Sequence, residues 1–255
     1  MSRPVPAATA ALRVLQLLAS RPAPEPASRI ADALSMPRSS TYHLLSAMVA
    51  EGFVAHYPEE RRWGLGVAAF EVGAGYARHQ PLQRRARLPL AALVDRTGHS
   101  AHLAVLHGRD VLYVLEERAP GQPPLVTNVD VRLPATLTAT GRAILASLSA
   151  DQVSALFPDR SAFVDRHGTG PTSPTALRAI LADTRRDGTA TEVGEVTPGF
   201  ASVAAVVPGH AAPTWTAVAL TYRLGGTQSE RTVAELRVAV RATAQEIATR
   251  LRGAR

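Results

Sequence analysis

The sequence predicts an α+β fold of two domains joined by a helix, and three observations lead to this prediction. Residues 28–65 read as two short helices joined by a tight turn, followed by a two-stranded hairpin. Residues 66–80 have the composition of an amphipathic helix. Beyond them, strand-forming stretches and stretches with helical spacing are mixed, as in a sheet flanked by helices. We therefore expect domains at residues 1–65 and 81–255, with a linker helix over 66–80.

The first domain is predicted to start with a helix over Ala7–Ser20, which ends at the prolines between residues 22 and 26. A second helix over residues 28–34 is separated by Ser35-Met36-Pro37 from a third helix that begins near Arg38. This spacing predicts a helix-turn-helix. The positions expected on the buried faces are Ala11, Leu12, Leu15 and Leu18, then Ile30, Ala31 and Leu34, then Leu44, Leu45, Met48 and Val49.

The third helix opens with short, polar and cationic residues, which suit a helix end lying in the major groove of DNA. In the hairpin that follows, residues 53–57 form strands with residues 61–65 around a Pro58-Glu59-Glu60 turn. Such a hairpin is a wing, whose arginines would reach phosphate or the minor groove. The candidate DNA contacts are Arg38, Ser39, Ser40, Thr41, Tyr42, His43, Arg61 and Arg62. The alternative is a small helical domain with a solvated hairpin and no nucleic acid; the two wing arginines favour DNA.

The overall charge supports a nucleic-acid partner less strongly than the motif does. The formal net charge is +7, and all 28 basic residues are arginine. Residues 1–80 contain 8 arginines against 6 acidic residues, a balance of only +2, so the excess is not concentrated on the motif.

Several classes of protein have no support in the sequence. There is no cysteine, which excludes disulfides and thiolate metal sites. No apolar run approaches the roughly 20 residues of a membrane-spanning helix, and the N-terminus lacks the apolar core of a signal peptide. We therefore expect a cytoplasmic protein with no membrane partner. HExxH, GxSxG and glycine-rich phosphate motifs are absent, so we expect no metal, no cofactor and no enzymatic activity.

The second domain is predicted to contain a sheet flanked by helices, an architecture that can cradle a small molecule. The expected strands cover residues 101–106, 111–116, 202–207 and 214–224. The expected helices cover residues 82–97, 140–147, 151–157, 175–187 and 230–252. Alternation along the last strand places Ala217, Ala219, Thr221 and Arg223 on one face.

Four stretches of the chain resemble segments of one known family. Residues 34–45, LSMPRSSTYHLL, look like a recognition-helix entry, and residues 132–146, RLPATLTATGRAILA, are similar to a distinctive sensor-domain motif. Residues 185–195 and 198–207 resemble the back of an effector pocket. Over about residues 10–250 the chain resembles the IclR family of bacterial transcriptional regulators. The resemblance implies a winged helix-turn-helix, a linker helix and a GAF-like α+β domain that binds an effector and oligomerises.

The resemblance also implies partners and a pocket. It implies a homodimer or a dimer of dimers that binds a double-stranded DNA operator and responds to a small organic effector. In family members with a bound carboxylate, ligand oxygens meet backbone amides that correspond here to Ala139 and Thr140, where a helix N-terminus favours an anion. The alternative is that Thr138 or Thr140 simply caps this helix. The implied pocket residues are Ala139, Thr140, Glu192, Ser202, Thr221 and Arg223.

The sequence departs from the family pattern at four positions, one in the recognition helix and three in the implied pocket. His43 stands where the recognition helix usually has arginine, and Ser202 stands in place of a common cysteine. Glu192 is one methylene longer than the common aspartate, and Arg223 replaces a small polar residue. An arginine there could hold a carboxylate or phosphate with both arms. The alternatives for Arg223 are an ion pair with Glu192 or exposure to solvent at the strand end.

The helix-turn-helix pattern and the family resemblance together imply a sequence-specific DNA-binding transcriptional regulator, a repressor, controlled by a small organic anion bound in the C-terminal domain. Two alternatives stay open. One is a small-molecule-binding or catalytic protein with a degenerate helix-turn-helix, which is favoured by His43 at a position where the family usually has arginine. The other is a regulator that has no small-molecule effector.

Overall fold

The computed structural model describes residues 5–79, 81–122, 127, 129–209, 215–225 and 230–252. The chain divides into two compact units, residues 1–80 and 81–255. Within the described ranges, no helix is both long enough and apolar enough to cross a membrane.

The N-terminal unit contains a helix-turn-helix with a wing, which confirms that part of the predicted fold. Its elements are α1 (Pro6–Ala19), β1 (Glu25–Pro26), α2 (Ala27–Leu34), α3 (Arg38–Ala50), β2 (Val54–Tyr57), β3 (Arg62–Leu65) and α4 (Val67–His79). Helix α2 ends at Ser35, which adopts a left-handed conformation with φ 54°, and Pro37 directly precedes α3. The strands pair antiparallel in the order β1-β3-β2.

The buried stripe of α1 differs from the predicted one. Leu12, expected inside, is 61% exposed, whereas Val14 and Leu18, one turn apart, are buried where α1 packs on α2, α3 and β3. Val49 of α3 was likewise predicted inside and is 36% exposed. Leu12 lies about 200° around α1 from Val14, so it is on the side of the helix away from the core, and Val49 lies at the edge of the α3 face that buries Leu45 and Met48. The core packs around Val14, Leu18, Ala27, Ile30, Leu45, Met48, Val54 and Trp63.

The C-terminal unit is a sheet with helices on both faces, which confirms the α+β prediction. Its elements are α5 (Pro81–Thr97), β4 (Ser100–His107), β5 (Asp110–Glu117), β6 (Arg132–Pro134), α6 (Ala139–Ser147), α7 (Ala150–Leu156), a 3-10 turn (Arg160–Ala162), α8 (Pro174–Asp187), β7 (Ala190–Val193), β8 (Phe200–Val206), β9 (Thr216–Arg223) and α9 (Glu230–Arg252). In the described residues the sheet has six antiparallel strands in the order β6-β5-β4-β9-β8-β7.

Alternation along β9 divides its side chains between the two faces of the sheet, as predicted, and each face packs against a hydrophobic core. Val218 and Leu220 face the core that includes α5 and α9, and Ala217 and Ala219 face the core that includes α6. Small side chains on the second face let α6 lie close to the sheet. The start of α6 is packed equally tightly: a Cβ on Gly141 would lie 2.2 Å from a backbone carbonyl oxygen, so this position requires glycine.

The two edge strands, β6 and β7, were not predicted. They contain three and four residues respectively, which is too short for alternation to identify a strand. Strand β7 bears on function because it carries Glu192 beside Ser202 of β8.

Candidate functional site

The first turns of α3 form an exposed polar surface on the N-terminal unit. Arg38, Ser39 and Ser40 are exposed, as are Tyr42 and His43. The residue before the helix is a proline, and no side chain caps the first N–H groups. Uncapped N–H groups at the positive end of a helix dipole, next to an arginine, are suited to a phosphate.

Thr41 belongs to the core and not to this surface. Its side chain is fully buried, and its hydroxyl donates a hydrogen bond to the Pro37 carbonyl oxygen at 3.0 Å. The prediction that Thr41 contacts DNA is therefore wrong. A polar side chain at the start of a helix can instead form a hydrogen bond with the backbone of that helix.

Trp63 connects α3 with the wing. Its indole is 6% exposed and stacks on His56 of β2, with ring centroids 4.1 Å apart. The edge of Tyr42 meets the same indole at 6.4 Å between centroids. The exposed start of α3 and the wing are thus held by one aromatic cluster.

The two wing arginines differ in their surroundings. Arg61 is exposed at the tip and adopts a left-handed conformation with φ 52°. Arg62 is half-buried, and its Nη1 donates a hydrogen bond to the Pro24 carbonyl oxygen at 2.8 Å. The second arginine therefore ties β3 to the segment before β1, whereas the first is free to meet a partner.

A row of hydroxyl and carboxyl side chains crosses the α6-covered face of the C-terminal sheet. Ser100, Thr221, Ser202 and Glu192 are aligned on four adjacent strands. The Ser202 hydroxyl donates to Glu192 Oε1 at 2.7 Å and lies 3.0 Å from Thr221 Oγ1. Glu192 Oε2 accepts a hydrogen bond from the Glu195 amide at 3.2 Å. The structure thus brings three predicted pocket residues together, and their polar atoms are paired with one another.

The N-terminus of α6 lies on the same face. The Thr138 hydroxyl oxygen caps the helix by accepting a hydrogen bond from the Gly141 amide at 3.0 Å. The amides of Ala139 and Thr140 donate to no acceptor in the described part of the chain. Capping by Thr138 and anion binding at the amides of Ala139 and Thr140 are therefore compatible interpretations. In addition, Thr140 Oγ1 lies 3.3 Å from Tyr113 Oη.

Arg223 does not join this arrangement. It is the last residue of β9, just past the buried part of that strand, and it is exposed. It forms no ion pair with Glu192, whose carboxylate is bonded by Ser202 and by the Glu195 amide. Of the three alternatives for Arg223, exposure at the strand end is the one found, and its inclusion among the pocket residues is wrong.

A buried ion pair that no sequence pattern predicted lies beside the row. The Arg142 side chain is 4% exposed, and its Nη2 lies 2.8 Å from Glu195 Oε2. Its Nε donates to the Thr136 carbonyl oxygen and its Nη1 to the Thr191 carbonyl oxygen, both at 2.8 Å. Arg142 therefore ties α6 to β7 and to the loop after it. The one signal in the sequence was an arginine within an apolar helix.

Burial raises the pKa of the Glu192 carboxyl, and the negative charge of Glu195 acts in the same direction. Hydrogen bonds from the Ser202 hydroxyl and from the amides of Glu195 and Val196 oppose the rise. The pKa of Glu192 is higher in the folded state than in the unfolded state. Its contribution to the free energy of unfolding is therefore fully present at a pH below the unfolded-state pKa. That contribution is lost as the pH rises through the folded pKa.

Glu192→Gln is expected to remove this dependence, since a glutamine does not titrate. Relative to the variant, the wild-type protein should lose thermal stability as the pH rises through the raised pKa of Glu192. Thermal unfolding of both proteins between about pH 4 and pH 8 measures the difference. A difference that is constant with pH, or that changes with the opposite sign, would contradict the raised pKa.

Comparison with known sequences finds relatives of both units. Residues 7–58 match the model of the IclR helix-turn-helix domain, and residues 74–249 match that of the C-terminal domain of the bacterial transcriptional regulator IclR. The glycerol operon regulatory protein of Streptomyces coelicolor is 30% identical over 207 residues, which cover 81% of this chain and 80% of that protein. The transcriptional repressor IclR of Escherichia coli is 25% identical over 201 residues, covering 78% and 73%.

Solved structures with the same fold cover nearly the whole chain. An IclR transcriptional regulator from Alicyclobacillus acidocaldarius superposes with a TM-score of 0.80 at 22% identity, covering 97% of this chain and 99% of that one. An IclR homologue from Microbacterium hydrocarbonoxydans, complexed with 4-hydroxybenzoate, superposes with a TM-score of 0.77 at 22% identity, covering 97% and 100%.

Proposed function

The chain belongs to the IclR family of bacterial transcriptional regulators, with a helix-turn-helix DNA-binding domain and an effector-binding C-terminal domain, and on this premise we propose how it acts. It is a homo-oligomeric repressor that binds a two-fold symmetric operator and responds to a small organic anion. The observation that carries this proposal is the exposed, uncapped start of α3 beside a wing with a free Arg61.

The DNA contacts divide between base edges and backbone. Ser39, Ser40, Tyr42 and His43 are the exposed α3 residues that meet base edges and nearby phosphates, and Arg38 meets phosphate together with the helix N-terminus. A histidine at position 43 can donate or accept one hydrogen bond, so it reads a base less tightly than the forked contact of an arginine.

Arg61→Ala is expected to weaken binding similarly on all DNA sequences, because a phosphate contact carries no sequence information. The plot of log binding constant against log salt concentration should become shallower by about one per protomer. Arg62→Ala is the matched comparison: it removes the bond to Pro24, so it should lower the melting temperature and leave the slope unchanged. Equal loss of slope in both variants would show that Arg62 contacts phosphate as well.

We place the effector between the N-terminus of α6 and the row of Glu192, Ser202 and Thr221. A carboxylate would accept hydrogen bonds from the free amides of Ala139 and Thr140, where the helix dipole favours negative charge. The Microbacterium homologue is complexed with 4-hydroxybenzoate, which supports an organic carboxylate as the effector. Thermal stabilisation by carboxylic acids tests the proposal, and Arg223→Ala, outside the site, should respond like the wild-type protein.

The exposed apolar face of α4 is proposed to pair two protomers. Val67 and Phe70 are 72% and 76% exposed and lie one turn apart on this helix. Phe70→Glu is expected to halve the mass of the assembly measured by sedimentation velocity, whether it is a dimer or a dimer of dimers. Val72→Glu, exposed on the opposite side of α4, is the control and should leave the mass unchanged. An unchanged mass in Phe70→Glu would contradict this interface.

Repression and a cytoplasmic location complete the proposal. The repressor named among the relatives supports the first, and access to chromosomal DNA requires the second. Transcription in vitro from a promoter that carries the operator should fall on addition of the protein. A rise would make it an activator. A protein that binds a carboxylic acid but shifts no DNA, even at low salt, would instead have a degenerate helix-turn-helix.

A further inference from the structure

His56 is an exposed residue of the wing that lies outside the predicted set of DNA contacts. It is directly opposite Trp63 of β3, which is in turn directly opposite Glu25 of β1. Side chains opposite one another in a sheet point to the same face, so His56 shares a face with Trp63. Tyr42 of α3 meets the same indole. His56 therefore lies on the side of the wing that faces α3.

The imidazole of His56 rests on the indole of Trp63, and its nitrogens are free. The two rings are nearly parallel, with centroids 4.1 Å apart and planes inclined by 23°. Trp63 belongs to the core of this unit, so it is a fixed support. In the part of the chain that the structure describes, no hydrogen bond or ion pair involves the imidazole of His56. Because the face of an indole attracts a cation, the position favours an imidazolium with two N–H groups ready to donate.

The order of the grooves in DNA determines which group His56 meets. The sugar–phosphate backbone separates the major groove from the minor groove. With the start of α3 in the major groove and Arg61 reaching phosphate or the minor groove, one backbone strand passes between α3 and the tip of the wing. His56 is exposed between these two elements. A phosphate there would accept a charge-assisted hydrogen bond from an imidazolium.

The charged groups around His56 do not provide the imidazole with a counter-charge. The carboxylate in the same row, that of Glu25, lies about 10 Å away across the sheet and is paired with Arg21 at 3.8 Å and Arg29 at 3.5 Å. The other titratable or charged groups on adjoining elements are Arg38, Tyr42 and His43 on α3, Glu59, Glu60 and Arg61 in the turn, Tyr57 and Arg62 on the opposite face of the wing, and Glu71 on α4. Within the described ranges, none of these forms an ion pair with His56. A DNA phosphate is therefore the counter-charge that an imidazolium at this position can gain.

We propose that His56 binds a phosphate of the DNA backbone as an imidazolium, so that operator binding is coupled to the uptake of a proton by each protomer. The inference rests on the proposed docking of α3 and the wing, and it adds a contact between them. Histidine is the side chain whose charge ordinarily changes between about pH 5 and pH 8. Because the proton and the phosphate each strengthen the binding of the other, operator affinity rises as the pH falls through this range.

The test titrates the full-length protein with duplex DNA from upstream of its own gene at several pH values. The affinity of the wild-type protein should rise at least about fivefold per protomer from about pH 8 to about pH 6. Over the same range, the plot of log binding constant against log salt concentration should become steeper by about one per protomer, because one more phosphate is neutralised. His56→Phe keeps an aromatic ring on the indole but holds no proton, so both dependences on pH should be lost. Its affinity should fall below that of the wild-type protein most at the lowest pH.

A control variant and a second readout separate proton uptake from a structural effect. His43→Gln replaces the exposed histidine of α3, and it should lower the affinity by the same factor at each pH. Calorimetric titration at about pH 7, in buffers that differ in ionisation enthalpy, counts the protons taken up on binding. The wild-type protein should take up protons and His56→Phe should not, although both melt at the same temperature.

Each other outcome overturns a specific statement. A pH dependence that is equal in the wild-type protein and His56→Phe, or that is lost in His43→Gln, would overturn the role of His56. Binding of DNA by the wild-type protein without proton uptake would overturn this inference and leave the docking of α3 and the wing intact. Failure of the wild-type protein to bind the DNA at any pH would overturn that docking and this inference with it.

Discussion

Arg142→Met is expected to destabilise the C-terminal unit by about 3–5 kcal/mol, the cost of breaking a buried ion pair from one side. The guanidinium forms an ion pair with the Glu195 carboxylate and donates hydrogen bonds to the carbonyl oxygens of Thr136 and Thr191. Methionine fills a similar volume but donates to none of them. The variant therefore leaves a buried carboxylate without its counter-charge and two carbonyls without their donors.

Chemical denaturation measures this loss, and two further variants identify its cause. Arg186→Met removes an arginine that pairs with Asp183 at 2.9 Å on the surface, so it should leave stability nearly unchanged. Arg142→Met combined with Glu195→Leu should recover part of the loss, because the stranded charge is gone. A loss below about 1 kcal/mol in the single variant would show that Arg142 does not hold α6 to β7.

Ser40→Glu is expected to weaken operator binding by about 100-fold, which is about 3 kcal/mol of like-charge repulsion against phosphate. Ser40 is exposed in the first turn of α3 and does not belong to the core cluster of this unit. A negative charge there interacts favourably with the helix dipole, so folding should be unaffected or slightly improved. Loss of binding with an unchanged melting temperature would therefore locate the effect at the DNA surface.

Ser46→Glu is the matched control for this variant. Ser46 is exposed on the same helix, nearly two turns further along and on another side. Ser46→Glu adds the same negative charge to the same domain. The variant should therefore weaken operator binding only slightly, through the change in net charge. Equal losses in the two variants would mean that binding follows overall charge and that the start of α3 has no special role.

The helices and the order of the domains could be predicted from the sequence because they depend on local signals. The α2–α3 turn follows from Ser35 and Pro37, whose backbone preferences act on adjacent residues. The final helix, Glu230–Arg252, was predicted with the bounds that the structure shows, since its apolar spacing runs over many turns. The edge strands β6 and β7 are too short to carry such a signal.

The candidate site was only partly predictable, because burial of a polar side chain depends on partners that are distant in the chain. Arg142 is buried because its guanidinium meets the segment around residues 191–195, about fifty residues later. Tyr113 is buried on β5 beside Thr140 of α6, and it belongs to no motif. Thr41 and Arg223 show the converse: a residue type suited to binding can lie inside the core or beyond the site.

In the proposed function, the operator is bound through the start of α3 and the wing. A footprinting titration against DNA from upstream of the protein's own gene and its divergent neighbour, at two salt concentrations, tests it most directly. We expect a two-fold symmetric protected site, whose protection weakens with salt and is lost in Ser40→Glu. Weak protection of any DNA alike, equal for the wild-type protein and Ser40→Glu, would contradict it.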